Sequence, residues 1–120
     1  MASTSFNAFP AASVQLSTTP GNTLYTCPAG ARAQIQNFMV LNTTATDRAL
    51  TVHVVRSGDS IADNNQVVSA MTIPKKTTAP AGIPISNLLG MWLNAGDTIQ
   101  AFSSAGTALT PFGGVMEYFL

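Results

Sequence analysis

His53 and Cys27 are the only histidine and the only cysteine in the chain, and either can in principle do acid–base or nucleophilic chemistry. A catalytic histidine needs a nucleophile beside it and a third group to orient it. No Gly-x-Ser-x-Gly elbow is present, and no second histidine exists to complete a metal set. His53 therefore reads as a solvent-facing or interface histidine. Cys27 follows Tyr25 and Thr26 and precedes Pro28, with no cation next to it in sequence to stabilise a thiolate. It reads as a small buried hydrophobe. Asp59, Asp63, Asn64 and Asn65 bring oxygen ligands close together. They do not follow the Asp-x-Asx-x-Asx-Gly order of a calcium loop, and no acid stands at its closing position. Asx turns in a solvated connection account for them. Glu117 is the single glutamate, and the aspartates lie mostly beside turns, so no carboxylate pair suited to glycoside hydrolysis emerges. Asn42-Thr43-Thr44 matches a glycosylation acceptor. Without a basic start and an apolar core at residues 1–17, no secretion signal is expected to give it meaning. Trp92 can serve as a sugar-stacking platform or as a core or interface aromatic, and the latter is preferred. No catalytic residue, cofactor or metal site is assigned, and the chain does not read as an enzyme.

The elements that carry these residues are short and β-like. Apolar alternation with period two, punctuated by Gly, Pro and Asn, predicts strands near 12–18, 22–27, 32–42, 48–56, 66–73, 85–93, 97–104 and 110–119. Pro28-Ala29-Gly30 and Pro80-Ala81-Gly82 are expected as type I turns, with Asn94-Ala95-Gly96-Asp97 as a similar corner. Gly113-Gly114 is expected to mark a reversal. Leu50, Val52 and Val54 should share one face, and Ile99 and Ala101 another. Ala33 and Ile35 are out of phase with Phe38 and Val40, so a bulge near Gln36-Asn37 is needed to keep one buried face. The final run from Val115 to Leu120 is apolar on both faces, as expected of a strand that is covered on both sides or lies at an interface. The fold expected is a single all-β domain over 12–120. It is an antiparallel β-sandwich of about eight strands, jelly-roll-like if the connections cross between sheets. Residues 1–11 form an extended N-terminal arm.

Composition narrows the partners. The chain has 120 residues, 46% of them hydrophobic and only 8% charged, with five Lys/Arg balancing five Asp/Glu. An average soluble domain carries roughly 25% charged residues. Here 15 Thr and 10 Ser fill the polar positions instead. Scattered cations do not make a phosphate-binding surface, so no nucleic-acid partner is expected. No apolar run approaches the roughly 20 residues of a membrane helix. A neutral surface of short side chains favours association, since neutrality promotes it and little side-chain entropy is lost on contact. The candidate interface residues are Phe6 and Phe9 of the arm, Trp92, and Tyr118, Phe119 and Leu120 at the end of the chain.

Four stretches carry a resemblance. They are Leu24-Tyr25-Thr26-Cys27-Pro28-Ala29-Gly30, then Gln34 to Thr44 with Leu50 to Val55, and later Leu93-Asn94-Ala95-Gly96-Asp97-Thr98-Ile99-Gln100-Ala101. Across roughly 24–104 the chain resembles small β-sandwich virion structural proteins of tailed bacteriophages. In these a Tyr-Thr-x-Pro-Ala-Gly turn leads into a strand ending in Asn-Thr, and a Leu-x-Ala-Gly-Asp-x-Ile corner precedes the penultimate strand. The resemblance implies a structural role in the virion, assembled in host cytoplasm, and no catalytic residues. A capsid cement or decoration protein is the first expectation, with the major capsid protein as partner and a homotrimer as the oligomer. A low-copy neck, tail or fibre module is the alternative. Outside the virion, the competing reading is a carbohydrate-binding sandwich using Trp92 or Tyr25.

Overall fold

The computed structural model describes residues 3–19 and 22–119. Nine strands follow one another: β1 (Ser3–Phe9), β2 (Asn22–Thr26), β3 (Ala31–Asn42), β4 (Arg48–Val55), β5 (Gln66–Ile73), β6 (Ile83–Pro84), β7 (Trp92–Leu93), β8 (Thr98–Ser103) and β9 (Leu109–Phe119). They form two antiparallel sheets. One runs β1-β9-β3-β6, with β7 also paired to β3, and the other runs β2-β8-β4-β5. The chain changes sheet at each step from β1 to β4, and the fold is a β-sandwich with jelly-roll strand order.

Period two sets the faces. Leu50, Val52 and Val54 of β4 point into the sandwich with Ile99 and Ala101 of β8, opposite Ala33, Ile35, Phe38 and Val40 of β3, and all are buried. The bulge needed to bring Phe38 into phase is present. The β3–β9 register slips between Ile35 and Asn37, leaving Gln36 and Asn37 exposed and Phe38 in the core.

Other expectations require correction. Residues 12–18 form no strand. They pass from one sheet towards the other, with Leu16 buried and its N–H bonded to the Leu109 carbonyl at 2.9 Å. Over 85–93 a 3-10 turn at Ser86–Leu88 replaces most of the expected strand, and only Trp92–Leu93 pairs. The turn buries Leu88, and Ile85 and Leu93 are buried on either side of it, a spacing that alternation does not describe. Pro28 occupies the first position of its turn, not the second, and Asn94 opens the Asn94–Asp97 corner as expected. Their carbonyls accept from Ala31 and Asp97, and Gly30 and Gly96 take the third position with φ of 77° and 86°. That is the type II pattern, in which glycine supplies the positive φ. A Cβ at Gly96 would also fall 2.6 Å from Ser57 Oγ. Gly96→Ala is expected to lower stability by about 1–3 kcal/mol, read as a shift of the denaturant midpoint.

The largest correction concerns the arm. Residues Ser3–Phe9 pair with β9 over an unbroken register, from Ser3 opposite Phe119 to Phe9 opposite Gly113. Gly113-Gly114 is therefore no reversal but the middle of β9. Its missing side chains leave room for aromatic rings. A Cβ on Gly113 would run into the Phe9 ring, and one on Gly114 would lie 2.7 Å from Phe6 Cζ. Phe9 is 2% exposed and stacks on Phe38 with ring centroids 5.6 Å apart. It is a core residue and not an interface residue.

Candidate functional site

Residues paired across antiparallel strands share a face, so the register of the five-stranded sheet shows what it presents outward. One row runs Phe6–Met116–Gln34–Trp92, a second Thr4–Tyr118–Arg32, and a third Phe112–Met39–Pro84. The sequence-predicted residues Phe6, Trp92 and Tyr118 thus come together on the outer face. Met39, Phe112 and Met116 join them and were not foreseen. Phe6 is 56% exposed, Phe112 47%, and Met39 and Trp92 41% each. Arg32 is the single charged residue among the strand positions in these rows. Its guanidinium lies 4.8 Å from the centre of the Trp92 ring, whose other neighbour is Tyr118 at 5.5 Å between centroids. Monomers seldom leave several large apolar side chains exposed on one sheet face unless that face meets something.

Phe119 does not belong to this face. It lies in the inward row with Ser3 and Ala31 and packs, partly buried, against the core. Leu120 lies outside the described residues. The two-faced apolarity of β9 has a simple cause, because the strand is central in its sheet, with Val115 in the core and Met116 and Tyr118 on the outer face.

The residues considered for chemistry are held in structural roles. His53 is buried and not solvent-facing: its Nδ1 is 2.7 Å from Asn65 Oδ1, and Phe102 stacks near it. Asn65 also donates to the Ser60 carbonyl and accepts from the Ala62 N–H, so the Asp59–Asn65 segment folds as a cover over His53. A cleft of about 270 Å³ beside it is lined by Arg56, Asp59, Asn64 and Gln66 among others, and Arg56 is already engaged by Asp97. Asn42 is buried, its amide donating to the Thr46 and Ile73 carbonyls and accepting from Thr44. It shapes the β3–β4 loop.

Two buried carboxylates tie the sandwich together. Glu117 points inward from β9, accepting from Asn7 Nδ2 at 2.6 Å and from the Tyr25 hydroxyl at 2.5 Å. One side chain thereby joins β1 and β9 to β2 of the opposite sheet. Burial, then the Glu117 carboxylate it binds, pushes the Tyr25 hydroxyl well above its ordinary range. The same two causes raise the Cys27 thiol, which is buried and keeps the character of a small hydrophobe. Asp97 is the second. Burial alone would raise its carboxyl, but the Asn94 N–H, the Arg56 guanidinium and the Ser57 N–H outweigh that and hold it below the usual carboxylate range. These contacts span 2.7–2.9 Å.

Comparison of the chain with protein-family models, with curated proteins and with solved structures finds no match.

Proposed function

We propose that this chain is a non-enzymatic structural protein of a virion, a cement or decoration protein that docks on the outer capsid through the outer face of its five-stranded sheet and bridges neighbouring capsid subunits. The observation that carries the reading is that face: Phe6, Met39, Trp92, Phe112, Met116 and Tyr118 on one surface, with Arg32 the one charged residue among the strand positions of its three rows. Such a face suits a largely apolar partner surface. The virion as the setting rests on the resemblance of the 24–104 stretches. Attachment of many copies by modest contacts would reinforce a shell multivalently, since rupture must break several contacts together. The carbohydrate reading draws on Trp92, but both neighbours of its ring are already protein groups. Tyr25 lies between the sheets with its hydroxyl on Glu117, so the two aromatics do not line one sugar site.

Quantifying the chain against the major capsid protein in purified particles tests this reading. Abundance comparable to the shell subunits supports it. A handful of copies would move the protein to the neck, tail or fibres, and absence would discard the virion altogether. The face itself is tested by the double substitution Phe112→Lys with Met39→Glu. These two residues are direct cross-strand partners, so the opposite charges still attract one another and spare the sheet. Each apolar side chain is worth about 1.5–3 kcal/mol when covered. Attachment to stripped particles is expected to weaken by about 100-fold or more, with the melting temperature little changed. Undiminished attachment would show that another surface docks.

A further inference from the structure

A sandwich has open edges, and proteins normally blunt them with short strands, bulges, prolines or charges. Three of the four edges here are treated in that way. β2 has five residues and a register shift between Thr23 and Tyr25. β5 has two register shifts against β4, with Ala70 at a φ of 47°, and Lys75 and Lys76 follow shortly after it. The β3 side of the larger sheet is covered only by the two-residue strands β6 and β7, with the 3-10 turn between them. β1 is the exception. It has seven residues, Ser-Thr-Ser-Phe-Asn-Ala-Phe, with no charge, proline or bulge within it, and among the described residues it is paired on one side only.

We propose that β1 is a self-pairing edge, through which two copies of this chain associate by antiparallel β1–β1 pairing about a twofold axis at Phe6. The strand suits a second copy of itself. Pairing centred on Phe6 uses all seven residues, setting Ser3 opposite Phe9, Thr4 opposite Ala8, and Ser5 opposite Asn7. Antiparallel pairing about a residue keeps every side chain on its own face. The inward Ser3, Ser5, Asn7 and Phe9 stay inward, and Thr4, Phe6 and Ala8 stay on the outer face. With no charge in β1, no like charges meet across the axis. The two Phe6 residues, each more than half exposed in the single chain, face one another across the axis, with each ring lying back over Gly114 of its own sheet. The outer apolar faces of the two sheets become one. A twofold contact of this type is isologous and closes on itself, so it yields a dimer in place of the expected trimer. It concerns the protein in solution and does not depend on the virion reading.

The test uses the purified full chain. Sedimentation equilibrium should show a concentration-dependent dimer. Phe6→Lys and Phe6→Glu should each be monomeric, with a folded circular-dichroism spectrum, and mixing the two should restore a dimer. Cysteine substitution fixes the register. Directly opposite Cα atoms lie about 4.5–5.5 Å apart, within disulfide reach. Phe6→Cys should therefore link covalently under mild oxidation. Thr4→Cys should not, since its own copy is offset by four residues, about 13 Å. Cys27 is buried and does not compete. A monomer at all concentrations, a trimer, a dimer indifferent to both charged variants, or linkage through Thr4→Cys but not Phe6→Cys would each overturn the proposal.

Discussion

A Phe9→Ala variant is expected to be less stable than the parent chain by about 3–5 kcal/mol, the range for removing a fully buried phenylalanine. The ring is enclosed by Phe38 and Tyr25, at 5.6 and 5.9 Å between centroids, and lies over Gly113. None of these can move in to fill the space, because Gly113 has no side chain and the two aromatics are anchored in opposite sheets. Phe6→Ala, in the same strand but on the other face, should change stability by less than about 1 kcal/mol. Denaturant titration of the two variants gives the comparison. Equal effects would show that β1 does not dock as described. The deletion of residues 2–11 follows the same logic. For a free arm it would leave the fold intact. Since Ser3–Phe9 is a paired strand that supplies a core ring and the Asn7 partner of Glu117, deletion is expected to cause loss of the cooperative unfolding transition or a steep fall in midpoint.

Asp97→Ala is the second variant with a large expected effect, about 3–4 kcal/mol. The carboxylate is 3% exposed and closes the Asn94–Asp97 corner through the Asn94 N–H, while also accepting from the Ser57 N–H and from Arg56. Alanine leaves two backbone donors without their partner. Arg56 is half exposed, so its ion pair is screened and contributes the smaller share. The linkage to pH has a definite sign. Asp97 in the folded chain sits below the ordinary carboxylate range, so the folded state favours the ionised form. The stability gained is complete above the unfolded value of about 4 and is lost as pH falls through the lower folded value. Unfolding midpoints should decline below about pH 4, and the decline should be smaller in Asp97→Asn. A variant as acid-sensitive as the parent would remove Asp97 from this account.

Where the buried pattern is apolar and strictly alternating, the sequence was readable. β4 and β8 have their predicted faces, and the phase break between Ile35 and Phe38 marks the bulge. β1 does not show in the alternation, because three of its four inward positions, Ser3, Ser5 and Asn7, are polar, with Asn7 on Glu117, and only Phe9 enters the apolar core. Its partner surface was hidden in Gly113-Gly114, a pair that reads as a turn when its role is to admit two rings. His53 and Thr51 alternate correctly, but the Asp63–Asn65 cover buries the histidine from outside the sheet, a long-range event without a local signal. Glu117 was legible in principle. It shares parity with Val115 and so had to point inward, needing hydrogen-bond donors in place of solvent. On the outer face, Phe6, Trp92 and Tyr118 are marked by their residue type. Met39, Phe112 and Met116 became visible only through the β3–β9 register, which converts strand parity into a shared face.

Oxidative footprinting of the protein, free and bound to purified capsids, tests the proposed docking face most directly. Met39, Trp92, Phe112 and Met116 are reactive residue types on the outer face, and Leu89 and Met71 provide reporters outside its three rows. The account predicts strong protection of the first four on binding, with Leu89 and Met71 unchanged. Unaltered oxidation of the four in a particle-bound sample would contradict it and place the contact on another surface.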